Sequence, residues 1–312
     1  MGFTRREWLA SSAGVLAGGV ILHADASRAT RPSPPTFRYC LNTSTIRGQK
    51  LSIVQQVETA SRAGYDAIEP WMRDLDAYVK DGGSLKELQK RVQDAGLTVE
   101  SAIGFARWIV DDDEQRAQGF EQAKRDMDTL RQIGGIRIAA PPVGATNQSD
   151  LDLMKAAARY RDLLKLGDQM DVVPQVEVWG FSKSLSRLGE SAFVAIESGH
   201  PKACLLPDVY HIFKGGSDFA GLTMFGPQAI QVFHLNDYPA DPPRETIKDA
   251  DRVYPGDGVA PLTEIYHTLA RIGFRGTLSL ELFNPRYWAE DALTVAKTGL
   301  QKMKTSVEKA FG

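Results

Sequence analysis

The run Phe37-Arg38-Tyr39-Cys40-Leu41-Asn42-Thr43-Ser44-Thr45-Ile46-Arg47-Gly48 is where two rival folds part company. Its first six residues read as a β-strand, and 50–63, stopped by Gly64, reads as the helix that follows. In an open, doubly wound sheet the turn between them usually carries a glycine-rich phosphate loop, G-x-G-x-x-G. Here the turn offers a single glycine, Gly48. The expected fold is therefore α/β in its closed form, a single (β/α)8 TIM barrel.

Working outward, further strand patterns fall at 65–69, 97–103, 136–140, 173–178, 203–206, 230–235 and 277–280. Helical patterns fall between them, over 84–95, 113–133, 150–170, 183–198, 261–272 and 288–310. Ser84 reads as an N-cap and Gly96 as a stop. Strands alternating with helices imply parallel pairing through right-handed crossovers. Eight such units fill one barrel of about 250 residues.

The first 26 residues read as an address. Thr4-Arg5-Arg6-Glu7-Trp8-Leu9 sets two arginines ahead of bulky apolar residues and resembles the twin-arginine export motif. Residues 9–22 are apolar and rich in small side chains, shorter than the ~20 apolar residues a membrane-spanning helix needs. Ala24-Asp25-Ala26 follows as an A-x-A cleavage site. An amphipathic helix or an uncleaved anchor is the alternative. The expected organisation is a signal over 1–26, a linker over 27–36 containing Pro32-Ser33-Pro34-Pro35, and the barrel over 37–312. It implies a partner in the twin-arginine export machinery, a periplasmic or secreted location, and no stable membrane insertion.

Of 312 residues, 43% are hydrophobic and 24% charged, which excludes a disordered chain or a disulfide scaffold. Lys plus Arg number 37 against 39 Asp plus Glu, a net charge of -2. With no basic excess to neutralise phosphates, nucleic acid is not an expected partner. Cys40 and Cys204 form no C-x-x-C pair, so a thiolate zinc site is excluded while a disulfide between them stays open. The oligomeric state is open too.

Barrels place catalytic groups where strands run out into loops. Four consecutive strands end in Gln175-Val176-Glu177-Val178-Trp179-Gly180, Leu205-Leu206-Pro207-Asp208-Val209-Tyr210-His211, Val232-Phe233-His234-Leu235-Asn236-Asp237 and Leu278-Ser279-Leu280-Glu281-Leu282-Phe283-Asn284. Glu177, Asp208, His234 and Glu281 thus occupy one level. Carboxylates in apolar surroundings are costly unless neutralised. A divalent cation does that, with His234 as its nitrogen ligand. One imidazole among oxygens suits Mn²⁺ first, with Mg²⁺, Co²⁺ or Zn²⁺ also compatible.

This arrangement resembles the xylose-isomerase-like TIM barrels, in particular the sugar phosphate isomerase/epimerase group. The matching motifs are Asp208-Val209-Tyr210-His211, Phe233-His234-Leu235-Asn236-Asp237, Leu280-Glu281-Leu282-Phe283-Asn284 and the loop Asp251-Arg252-Val253-Tyr254-Pro255-Gly256-Asp257-Gly258. The resemblance implies one metal held by Glu177, Asp208, His234 and Glu281, and substrate-hydroxyl contacts from His211 and Arg252. One departure stands out. Glu177-Val178-Trp179-Gly180-Phe181-Ser182-Lys183 lacks the Pro and second acid that usually follow this glutamate in ketohexose 3-epimerases.

In this reading the metal polarises the carbonyl of a sugar or polyol hydroxy-ketone. Glu177 and Glu281 act as the acid/base pair through an enediolate, giving isomerisation or epimerisation. The alternatives are a lyase acting on a keto-sugar, inosose or dehydroshikimate-like substrate, and a non-catalytic carbohydrate-binding barrel. Trp71, Trp108 and Trp179 are expected at the rim as aromatic faces for substrate. Glu69 is expected to touch substrate or, more plainly, to pair inside the barrel. Arg252, in its Pro-Gly-rich loop, is expected to present a fork to substrate at little cost to the fold.

Overall fold

The computed structural model describes residues 36–312. The chain runs β1 (Arg38–Asn42), α1 (Ile53–Ala63), β2 (Ala67–Glu69), α2 (Met72–Lys80), α3 (Leu85–Asp94), β3 (Thr98–Val99), α4 (Asp113–Gln132) and β4 (Arg137–Ala140). It continues through α5 (Leu153–Met170), β5 (Val173–Glu177), α6 (Leu188–Glu197), β6 (Leu205–Leu206) and α7 (Val209–Lys214). Then follow β7 (Val232–Leu235), α8 (Leu262–Arg271), β8 (Thr277–Leu280), α9 (Pro285–Trp288) and α10 (Ala292–Phe311). The signal expected over 1–26 and most of the expected linker lie outside the described residues.

The strands pair in parallel as β3-β2-β1-β8-β7 and as β4-β5-β6. Backbone hydrogen bonds close both seams. Ala102 and Ala139 tie the end of β3 to β4, through Ala102 N to Arg137 O at 3.1 Å and Ala139 N to Ala102 O at 2.9 Å. His234 N reaches Pro207 O at 2.9 Å beside the Asp208–His234 bridge, joining β6 to β7. The result is a (β/α)8 barrel.

Local chemistry sets the helix starts. Ser52 and Gln55 form a reciprocal capping box on α1, and Gly64 ends that helix at φ 92°. Ser84, Asp112 and Asp291 each accept a backbone N–H at the starts of α3, α4 and α10. Such a cap stabilises a helix by about 1 kcal/mol. At the other end of the barrel, Arg38 and Arg137, the first residues of β1 and β4, both reach Glu100.

Alternation along each strand divides the core in two. In β8, Leu278 and Leu280 join the large cluster under the helices. Ser279 and then Glu281 take the opposite face. A smaller cluster of Trp71, Ile103, Ala139, Leu206 and Val232 forms separately, and His234 lies on the same face of β7 as Val232. Polar site residues therefore sit directly on an apolar floor.

Several expectations change. Strand six stops at Leu206, so Asp208-Val209-Tyr210-His211 is not strand but the capped start of α7. The third strand pairs regularly only over Thr98–Val99. Helix α6 starts at Leu188, not 183, because Ser182 and Ser184 turn their hydroxyls onto Thr146 O and Ala145 O. Helix α2 was not expected; Met72 and Leu75, three residues apart, bury its inner face. Cys40 and Cys204 are buried free thiols. Among the described residues no helix is long and apolar enough to cross a membrane.

Candidate metal centre

Asp208, His234 and Glu281 converge: one ligand atom from each lies within 4.8 Å of the others, and all three are buried. Each is aimed by its place in the fold. Asp208 spends Oδ1 capping α7 through the His211 amide at 2.8 Å, which turns Oδ2 into the barrel. There Oδ2 accepts from Asn236 Nδ2 at 2.9 Å. Glu281, two residues after Ser279, points the same way and accepts from Asn42 Nδ2 at 3.2 Å.

His234 is fixed from behind. Register pairs it with Ser279 across β7–β8 and pairs Asn42 with Glu69 across β1–β2. Glu69 is consequently buried beneath the site, where Oε2 faces His234 Nε2 at 3.0 Å and accepts from Ser279 Oγ and Asn42 Nδ2 at 2.6 and 2.9 Å. Of the two expectations for Glu69, pairing inside the barrel is the one the geometry shows. The other imidazole nitrogen, Nδ1, has no hydrogen-bond partner, and stands 3.3 Å from Glu281 Oε2 and 3.8 Å from Asp208 Oδ2. A carboxylate behind a histidine whose free nitrogen faces other acids is the arrangement of a metal-ligating imidazole. Ligands held 2.0–2.2 Å from one ion stand roughly 3.0–3.4 Å apart, so the set fits a divalent cation with little rearrangement.

Arg252 overturns the surface expectation. It is 0% exposed, and Nη1 donates to Asp208 Oδ2 at 3.1 Å and Glu281 Oε2 at 2.9 Å. Its other arm reaches Asp249 and, at 3.0 Å, His211 Nε2. Burial disfavours its charge, but Asp208, Asp249 and Glu281 outweigh that and raise its pKa. A buried cation clamped on two of the three acids shows how strongly this site demands positive charge. The loop that carries it is tied down by Asp237. Buried, it accepts from the amides of Tyr238, Gly256, Gly258 and Ala260 at 2.8–3.1 Å. Gly258 must lack a side chain, because a Cβ would stand 2.2 Å from Tyr238 O.

Glu177 lines the same cavity but lies outside the three-residue cluster. Its Oε2 is buried without a partner. Burial, opposed in part by His234 and reinforced by Glu281, pushes its carboxyl up to about 8. For Glu281 burial acts the same way, yet His234 and Arg252 override it and hold that carboxyl below the usual range. His211 is pulled down by burial and by Arg252, so it stays neutral.

The cavity above the acids encloses about 380 Å³. Its wall is an arc of touching rings: Phe283 on Trp71 at 5.9 Å, Trp71 on Phe105 at 5.2 Å, Phe105 on Trp179 at 6.2 Å, and Trp179 on Phe181 at 5.0 Å. Trp71 and Trp179 are where the sequence places them. Trp108 is not: fully buried, it packs at a tilt against Tyr160 and donates to Pro141 O at 2.9 Å. Its loop folds inward over the helical layer, so it serves packing and not substrate. Asn42, Arg47 and Asn236 went unread. Asn42 and Asn236 carry the same signal as the acids, a polar residue at the end of an apolar strand; Arg47 carries no sequence signal.

The sequence profile of the family described as xylose isomerase-like TIM barrel matches residues 57–305. This chain belongs to that family. It is 26% identical over 280 residues to an inosose isomerase of Bacillus velezensis, covering 88% of this chain and 99% of the relative. It is 24% identical over 268 residues to a 3-dehydroshikimate dehydratase of Pseudomonas aeruginosa, covering 83% of this chain and 40% of that one. Among solved structures, the IOLI protein with a bound zinc atom superposes at TM-score 0.82 and 22% identity, over 88% of this chain and 100% of that chain. The xylose isomerase-like relatives make this chain an enzyme, of the isomerase, epimerase or lyase kind.

Within that family setting, Glu69 gives a direct check on the centre. Glu69→Gln is expected to weaken divalent-metal affinity about 10–100-fold, with the fold retained, because a neutral amide anchors the Nε2 proton of His234 less strongly than the carboxylate does and makes the imidazole a poorer ligand. Metal titration beside circular dichroism reads this. Unchanged affinity would show that Glu69 does not orient the ligand.

Proposed function

We propose that the protein is a divalent-metal-dependent isomerase or epimerase of a sugar or polyol hydroxy-ketone. The observation that carries this reading is the pair Glu177 and Glu281, buried on one cavity with their pKa values driven apart beside a metal-fitting cluster. Two carboxyls separated in this way divide acid and base roles. Asp208, His234 and Glu281 would hold the cation, with the carboxylate of Glu177 as a further oxygen ligand when ionised. When bound, the cation supplies Lewis-acid polarisation of a carbonyl; the oxygen-rich set favours Mn²⁺.

The chain's own residues do the rest. Glu281, the stronger acid of the two and therefore ionised, takes the proton α to the carbonyl, and Glu177 returns one at the neighbouring carbon. His211 and Arg252 bind substrate oxygens, and the rings of Trp71 and Trp179 exclude water and flank the apolar side of the substrate. The dehydratase relative supports a second outcome: the same first step, with Glu177 protonating a departing hydroxyl. Incubating the metal-loaded protein with a panel of keto-sugars and inososes in D₂O separates these. Deuterium incorporation with retained formula supports the isomerase, loss of water the lyase, and exchange into no ketone removes the reading.

We also propose export of the folded chain through the twin-arginine route, on the strength of residues 1–26. Substituting Arg5→Lys and Arg6→Lys together is expected to retain the precursor in the cytoplasm. Cell fractionation checks this, and unchanged export would exclude that route.

A further inference from the structure

Arg47 stands at the cavity mouth on the turn Thr43–Gln49 that follows β1. Its guanidinium carbon lies 5.0 Å from the Trp71 centroid, 5.1 Å from Phe283 and 5.0 Å from Trp288. The rings that hold it are themselves fixed, for Trp71 Nε1 donates to Asn42 Oδ1 and Trp288 Nε1 to Ser44 O, both at 3.0 Å. Among the described residues no side-chain hydrogen bond and no ion pair reaches Arg47. A second cation crowds the same ring: Arg73 lies 4.7 Å from the Trp71 centroid. Burial and the charge of Arg73 both depress the Arg47 pKa.

A half-buried guanidinium that lines the cavity beside another cation, with its donors unspent on protein, is placed to take up an anion. We propose that Arg47 anchors a carboxylate of the substrate, so that the natural substrate is an acidic polyhydroxy-ketone and not a neutral sugar. This inference rests on the proposed proton-transfer chemistry in the same cavity. Aromatic rings contact the guanidinium but accept none of its N–H donors in the plane, which remain for a ligand. The guanidinium edge matches a planar carboxylate through two parallel hydrogen bonds.

Two of the cavity's acids, Asp249 and Glu281, are already paired with its other lining arginine, Arg252, which leaves Arg47 as the arginine there without an ion pair among the described residues. Phe283 contacts both arginines, with their guanidinium carbons 5.1 and 4.9 Å from its centroid, so the two lie no more than about 10 Å apart, on one cavity.

The test is a tryptophan-fluorescence titration of the metal-loaded full chain with 3-dehydroshikimate, which carries a carboxylate, and with an inosose, which does not. The titration is done for the wild type, Arg47→Gln and Arg47→Lys, with circular dichroism to confirm folding. Arg47→Gln is expected to weaken binding of the acid at least about 10-fold, as loss of a charge-assisted pair does, and to leave the inosose within about twofold. Arg47→Lys, which keeps charge but loses the fork, is expected to fall between. Equal weakening of both ligands, no weakening of the acid, or no detectable binding of the acid by the wild type would each overturn the inference. Preferential binding of a sugar phosphate would overturn the choice of carboxylate. Failure of the proton-transfer reading looks different: neither ketone exchanges deuterium, while acid binding still depends on Arg47.

Discussion

Glu177→Gln and Glu281→Gln are each expected to retain bound metal and to lose about 10²–10⁴-fold in the rate of proton exchange, the usual scale of general acid–base catalysis. An amide keeps an oxygen where the carboxylate had one but neither takes nor gives the proton. The two variants differ in cost to the fold. Glu177 Oε2 has no partner, so its amide leaves no bond broken. Glu281 accepts on both oxygens, from Asn42 Nδ2 at 3.2 Å and Arg252 Nη1 at 2.9 Å. Its amide must turn an N–H₂ toward one of two donors, and Asn42 is not free to flip because Oδ1 is held by Trp71 Nε1 at 3.0 Å. That mismatch costs about 1–3 kcal/mol. Metal stoichiometry, deuterium exchange and thermal unfolding measured together check all three expectations. Normal exchange by metal-loaded Glu→Gln variants would sink the two-glutamate mechanism.

Arg252→Ala is expected to destabilise the metal-free protein by about 3–5 kcal/mol, the scale for removing one partner of a buried ion pair. Its loss leaves Asp208 and Glu281 buried without the cation that neutralises them. Excess divalent metal is expected to restore most of the lost stability, since it would neutralise the same oxygens. Turnover is still expected to fall at least about 10²-fold, because the contact that positions His211 Nε2 goes with the side chain. Denaturant unfolding with and without metal reads the result. A loss that metal does not relieve would assign Arg252 to its loop alone, through Asp249 and the Asn284 bond to its backbone oxygen.

The amino-acid order alone determined the barrel, most helix starts and the three residues that converge, Asp208, His234 and Glu281. Strand and helix periods are local, caps such as Ser52 and Ser84 act within three residues, and an acid ending an apolar strand is conspicuous wherever it falls. Side-chain direction across the barrel is not local. Glu69 and His234 meet at a sequence separation of 165 residues, and only the β1–β2 and β7–β8 registers bring them together. Trp71 and Trp108 look alike as loop tryptophans, yet one walls the cavity and the other fills the core, depending on which way each loop folds over its neighbours. Arg252 reads as a loop cation for substrate, and Arg47 carries no sequence signal at all. Tertiary structure alone decided that one is locked among carboxylates and the other among aromatic rings, because the field at a side chain is set by the groups packing places around it.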